Sequence, residues 1–244
     1  MENISRRRIL LSGGAFLGVN AITGLNPLSN PLFAADIVPR PFELVRADKN
    51  ENPYGPSRVA LQAINEGIDL VNKYGGGSRR KLVELVAMQN GVTSDHVAIG
   101  TGSGEILKTG GLIASWEKGS VVCVDPTYQD LVRYASRVGT EIIRVPVDEN
   151  LACDLEAVAA AIRPDTKMVY LVNPNNPIPN IINKNALRDF VIEVSKKRLV
   201  FVDEAYYEFV EDPNYGSMID LIAEGHRNII VSRTASKIHG LAGL

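Results

Sequence analysis

The chain has 244 residues, 45% of them hydrophobic and 22% charged, with 26 Lys and Arg against 28 Asp and Glu for a formal charge of −2. That length suffices for one substantial soluble domain and part of another. Near-neutral charge spread along the chain leaves no electrostatic footprint for nucleic acid.

Two cysteines, Cys123 and Cys153, form neither a disulfide framework nor a metal motif, and His96, His226 and His239 have no metal-ligand spacing, so no metal is expected. Residues 1–35 stand apart. Ser5-Arg6-Arg7-Arg8-Ile9-Leu10-Leu11 leads into an uncharged stretch as far as Leu25, and Leu32-Phe-Ala-Ala-Asp36 follows. The pattern resembles a twin-arginine export signal, with Arg6 and Arg7 or Arg7 and Arg8 as the pair, cleavage expected near Ala34 or Ala35, and a periplasmic destination. Its apolar part falls short of the roughly 20 residues that a membrane-spanning helix requires. The other reading is an uncleaved, disordered N-terminus on a cytoplasmic protein. Residues 36–56 form an extended, turn-rich segment, and 57–244 the main domain.

Ser57 caps a predicted helix with Ala60, Ile64, Ile68 and Val71 on one face. Lys73-Tyr74-Gly-Gly-Gly77 breaks it, and a second helix over about 79–90 ends at Gly91. Six short apolar runs follow, at 97–99, 121–124, 141–145, 168–172, 199–202 and 229–231. Helical stretches lie between them at about 103–117, 127–138, 154–162, 183–197 and 217–224. Strands alternating with helices predict an α/β fold, a mainly parallel (mixed) sheet sandwiched by helices.

In such sheets ligands bind beyond the carboxyl ends of the strands. After 97–99 comes Gly100-Thr-Gly-Ser-Gly-Glu105, whose glycines, Gly102 among them, let backbone approach a phosphate at a helix start. After 121–124 comes Asp125-Pro-Thr-Tyr128, whose ring can stack on a planar cofactor or simply pack. After 168–172 comes Asn173-Pro-Asn-Asn-Pro177, after 199–202 comes Asp203-Glu-Ala-Tyr206, and after 229–231 comes Ser232-Arg-Thr-Ala-Ser-Lys237.

This set reads as a site for pyridoxal 5'-phosphate. A buried carboxylate, Asp203, keeps the ring nitrogen protonated. Asn176 and Tyr206 donate to the ring oxygen. Thr234 and Ser236 flank Lys237 at spacings suited to phosphate contact, and Lys237 is the Schiff-base lysine. The catalytic candidates are Lys237, Asp203 and Tyr206. The competing structural reading of Asp203-Glu204 is a salt-bridged or solvated strand end.

Asn50-Glu-Asn-Pro-Tyr-Gly-Pro56, Asn173-Pro-Asn-Asn-Pro177, Val202-Asp-Glu-Ala-Tyr206 and Arg233-Thr-Ala-Ser-Lys-Ile-His-Gly-Leu-Ala-Gly-Leu244 together resemble the histidinol-phosphate aminotransferase group of fold-type I pyridoxal-phosphate enzymes. The resemblance runs from about Asp48 to Leu244. It implies the large domain of such an enzyme, a homodimer, and transfer of an amino group between an amino acid or amino-alcohol phosphate and a 2-oxo acid. It further implies backbone phosphate contacts at Ser103 and Gly104, ring stacking by Tyr128, and a reach by Tyr74 to the phosphate of the neighbouring subunit.

Three positions depart from the pattern. Ile178-Pro179 stands where the family has Thr-Gly, His239 where an aromatic is common, and the sequence stops where the family supplies a phosphate-binding arginine and a small domain. The large domain is therefore expected to be incomplete, with the small C-terminal domain absent. Two other readings stand beside the aminotransferase. One is a different reaction on the same cofactor, decarboxylation or racemisation. The other is a non-catalytic fragment that binds the cofactor.

Overall fold

The computed structural model describes residues 47–244; the stretch read as an export signal and most of the turn-rich segment after it lie outside the described residues. Two helices, α1 (Arg58–Gly67) and α2 (Gly76–Gln89), precede α3 (Gly102–Ser115). A regular alternation follows: β1 (Ser120–Asp125), α4 (Asp130–Arg137), β2 (Glu141–Pro146), α5 (Leu155–Ala160), β3 (Thr166–Val172), α6 (Lys184–Ser195), β4 (Leu199–Asp203), α7 (Ile219–Ala223) and β5 (Ile229–Ser232). Among the described residues no helix is long and apolar enough to cross a membrane.

The strands form one sheet in the order β2-β1-β3-β4-β5, and every neighbouring pair is parallel. Side chains alternate across a strand, so its continuous apolar runs feed two cores. Val122, Val124, Val169, Leu171, Val200 and Val202 face α5, α6 and α7 through Val158, Leu187, Val191 and Leu221. Val121, Cys123, Met168, Tyr170 and Phe201 face α3 and α4 through Leu107, Leu131 and Val132. Burial of Cys123 agrees with its reading as a small core residue and pushes its thiol up to about 11.

Glycine allows α3 to sit close. A Cβ at Gly110 would stand 2.7 Å from Phe201 Cε2, and one at Gly111 would stand 2.9 Å from the Leu131 carbonyl oxygen.

The predicted helices are present with their ends shifted by a few residues. The Ser57 hydroxyl accepts from the Ala60 N–H at 3.2 Å, as a cap should. α1 stops at Gly67 and tightens into a 3₁₀ turn over Ile68–Leu70. α2 begins three residues before the prediction because Gly76 and Gly77 join its first turn, and Gly91 has φ +66° just past its end.

Residues 97–99 are a correction: they are not a strand, and the sheet has five strands rather than six. A strand needs a backbone neighbour, and here Arg79 Nη2 takes the Ile99 carbonyl at 2.6 Å.

The strand order reverses between β1 and β3: the chain steps from β1 outward to β2, then returns across β1 to β3, β4 and β5. The helices that follow β1 and β3 therefore cover opposite faces of the sheet, the switch point beside which ligands bind in such folds.

Candidate active site

The loops at the carboxyl edge of the sheet are tied together by polar contacts. Thr127 Oγ1 donates to Asn175 Oδ1 at 3.3 Å and Asn175 Nδ2 to the Pro126 carbonyl at 3.1 Å, joining the loops after β1 and β3. Asn173 Oδ1 accepts from the Ile182 N–H at 2.9 Å, and the Tyr215 hydroxyl donates to the Asn173 carbonyl at 2.9 Å.

At the end of β4, Asp203 is 2% exposed and its Oδ1 accepts from the Ser232 hydroxyl at 2.8 Å. Burial pushes its carboxyl up to about 6, against the pull of Ser232 and the Ala205 N–H. Glu204 and Asp130 add repulsion of like sign. Among the described residues no Lys, Arg or His forms an ion pair with it. A carboxylate sunk beside two dipolar donors and further anions calls for a cationic N–H, the chemistry of a protonated pyridine nitrogen.

Tyr206 and Asn176 come together: Asn176 Nδ2 donates to the Tyr206 hydroxyl oxygen at 3.4 Å, and Asn50 Nδ2 does so at 2.9 Å. The Lys237 ammonium lies 5.5 Å from the centre of the Tyr206 ring and donates to the Lys49 carbonyl at 2.8 Å and the Asn50 carbonyl at 3.3 Å. Thr234 and Ser236 meet side by side, hydroxyl to hydroxyl at 2.9 Å, with the Ser236 N–H on Thr234 Oγ1 at 3.1 Å.

Gly102 takes φ +72° to start α3, and Ser103 and Gly104 fall in its first turn, where amides have no partner within the helix. The Thr101 N–H is already taken by Glu105 Oε2 at 2.5 Å.

The remaining two candidates are Tyr128 and Tyr74. Tyr128 donates its hydroxyl to Asp130 Oδ2 at 3.2 Å, and burial, then that carboxylate, pushes the phenol up to about 12. Tyr74 is fully exposed.

Sequence reasoning missed a second layer. Arg233 stacks 3.7 Å from the Tyr207 ring centre and donates to Glu204 Oε2 (3.1 Å), Asn90 Oδ1 (2.8 Å) and Ser217 Oγ (2.9 Å). Glu204, 1% exposed, is thus the salt-bridged residue of the structural reading, while its neighbour Asp203 is not. Asn50 and Asn52 were also missed: Asn52 Nδ2 donates to the Ile238 carbonyl at 2.9 Å, laying the extended segment along the lysine loop. The signal was present in the Asn50 motif, which carried resemblance without a role.

An all-parallel sheet flanked by helices, with a lysine, a buried aspartate, paired hydroxyls and a glycine-started helix following its strands, matches the large domain of the fold-type I aminotransferases, and the family match agrees. The pattern described as aminotransferase class I and II matches residues 43–244, and the chain belongs to that family.

Within it, the chain is 38% identical over 202 residues to the histidinol-phosphate aminotransferase of Moorella thermoacetica, covering 83% of this chain and 52% of that one. A solved structure from Erwinia carotovora atroseptica superposes with TM-score 0.77 at 32% identity, covering 82% of this chain and 58% of that one. Histidinol-phosphate aminotransferase from Sinorhizobium meliloti, in complex with pyridoxal-5'-phosphate, superposes with TM-score 0.70 at 27% identity over 80% of this chain and 53% of that one. The chain thus spans a little over half the length of these relatives.

Proposed function

We propose that the protein is a pyridoxal-phosphate-dependent aminotransferase of the histidinol-phosphate type, moving an amino group between an amino-alcohol phosphate or amino acid and a 2-oxo acid. The observation that carries this reading is a buried Asp203 at the end of β4, three residues before Tyr206, whose ring centre lies 5.5 Å from the Lys237 ammonium in the loop after the neighbouring strand β5.

When bound, the cofactor supplies an electron sink for the negative charge that develops at the substrate carbon. Asp203 holds a positive charge on the ring nitrogen. Asn176 and Tyr206 donate to the ring oxygen and hold it ionised. Ser103 and Gly104 amides and the Thr234 and Ser236 hydroxyls receive the phosphate. Lys237 would hold the cofactor through its amine and, as a free amine, would carry the proton away from and back to the substrate carbon.

The same reading includes a homodimer in which the exposed Tyr74 reaches the neighbouring site, and periplasmic export directed by Arg6-Arg7-Arg8. The curated relatives at 37–38% identity are named histidinol-phosphate aminotransferases, which favours amino transfer over decarboxylation or racemisation.

Borohydride reduction in the presence of pyridoxal phosphate, followed by peptide mapping, tests the assignment. The cofactor is expected on Lys237; its recovery on Lys49 or Lys108 instead would remove Lys237 from the site. Amino transfer from histidinol phosphate to 2-oxoglutarate tests the substrate class.

A further inference from the structure

We propose that Ser232 is a positioning residue for Asp203, its hydroxyl fixing how the carboxylate faces and keeping it ionised for a cationic ring nitrogen, an inference that rests on the cofactor reading above. The β4–β5 ladder sets Asp203 directly opposite Ser232, and the hydroxyl closes on Oδ1 at 2.8 Å with both residues buried.

The backbone on either side is fixed. The Glu204 N–H donates to the Ser232 carbonyl at 2.8 Å, and the Asn173 N–H donates to the Asp203 carbonyl at 2.9 Å. The next residue, Arg233, is bolted to Glu204, Asn90 and Ser217. Strand register and this ion pair therefore aim the hydroxyl, and it occupies one carboxylate oxygen.

The groups facing Asp203 make the donor necessary. Glu204 beyond β4 and Asp130 on α4 are acidic, and Tyr128 and Tyr170 present phenols. Tyr170, on β3, is fully buried and its hydroxyl has no hydrogen-bond partner among the described residues. Against them stand the Ser232 hydroxyl and the Ala205 N–H. Hydrogen bonds to the ionised form favour it, and removing one from a buried carboxylate shifts protonation markedly.

The test is carboxyl NMR on cofactor-free protein labelled at aspartate, with the Asp203 signal identified by its loss in Asp203→Asn. Ser232→Ala and the nearly isosteric Ser232→Cys are each expected to raise the Asp203 midpoint by about one unit, a tenfold change in proton affinity. Ser232→Thr, which keeps the hydroxyl, is expected to restore it. If the alanine variant does not fold, the cysteine variant carries the measurement.

In parallel, pyridoxal phosphate should bind the alanine and cysteine variants about twofold more weakly at pH 7 and roughly tenfold more weakly at pH 5, a gap that closes as pH rises and Asp203 ionises. A midpoint unmoved in both variants overturns the role of Ser232, whatever the cofactor does. A midpoint that moves as expected in a protein that binds no pyridoxal phosphate upholds the Ser232–Asp203 coupling and removes the cofactor reading instead.

Discussion

Gly240 and Gly55 meet backbone to backbone: a Cβ at Gly240 would stand 2.4 Å from the Gly55 carbonyl carbon, and Gly240 itself has φ +65°. This contact, with the Asn52 bond to Ile238, presses the extended segment onto the lysine loop. Gly240→Ala combines a left-handed backbone with an overlap that has no flexible side chain to absorb it. We expect a loss of about 1–3 kcal/mol in urea denaturation, and faster proteolysis between residues 48 and 56. Unchanged stability with an equally protected segment would contradict the contact.

The Glu204–Arg233 pair predicts strong non-additivity. Arg233→Met leaves a carboxylate 1% exposed without its cation, which costs about 3–5 kcal/mol. Glu204→Gln alone leaves Arg233 its bonds to Asn90 and Ser217 and should be milder. The double variant should be less destabilised than the sum of the two singles, since no lone charge remains. Additive losses in a double-mutant cycle would show the two side chains to be independent.

Asp203 makes cofactor-free stability depend on pH in an unusual direction. Its folded value, about 6, lies above the ordinary carboxylate value near 3.9, so the folded protein holds the extra proton between them. Stability from this group is complete below about pH 4 and is lost as pH rises through about 6, by roughly 3 kcal/mol in all. Asp203→Asn should remove that slope and be the more stable protein at pH 7. In the holoenzyme the same variant should lose about 10³-fold in turnover, corresponding to ~4 kcal/mol. Urea titrations at pH 5 and pH 7 check the first effect and steady-state kinetics the second; ordinary turnover would exclude Asp203 from the mechanism.

The arginines at the start of the chain can be tested separately. A reporter fused after residue 40 should reach the periplasm, and replacing Arg6, Arg7 and Arg8 by lysine should stop it. Cytoplasmic retention of the native fusion would favour the uncleaved tail.

Much of this arrangement is legible in the sequence for a physical reason. A strand buried on both faces must be apolar throughout, so Val121-Val-Cys-Val124 and Leu199-Val-Phe-Val202 announce themselves, and the polar residue that follows each marks the edge where a ligand can sit. The run at 97–99 has the same composition and fails because pairing is a property of neighbours, and its carbonyl goes to an arginine 20 positions earlier. Ser232 looked like one hydroxyl among several in a polar run; only the register that sets it opposite Asp203 distinguishes it from Ser236. Glu204 and Asp203 adjoin in sequence, yet strand alternation sends one to an arginine and the other to a serine.

The lysine amine rests on carbonyls 188 and 187 positions earlier in the chain, and the Asn52 contact with Ile238 spans 186. Contacts of such span close late in folding, because the intervening chain must be organised before they repay its ordering. As the chain emerges from the ribosome, residues 48–56 must wait until all five strands are aligned before they meet the lysine loop. Cofactor capture at Lys237 would therefore serve as a timestamp: only molecules whose sheet is already assembled could be marked by it.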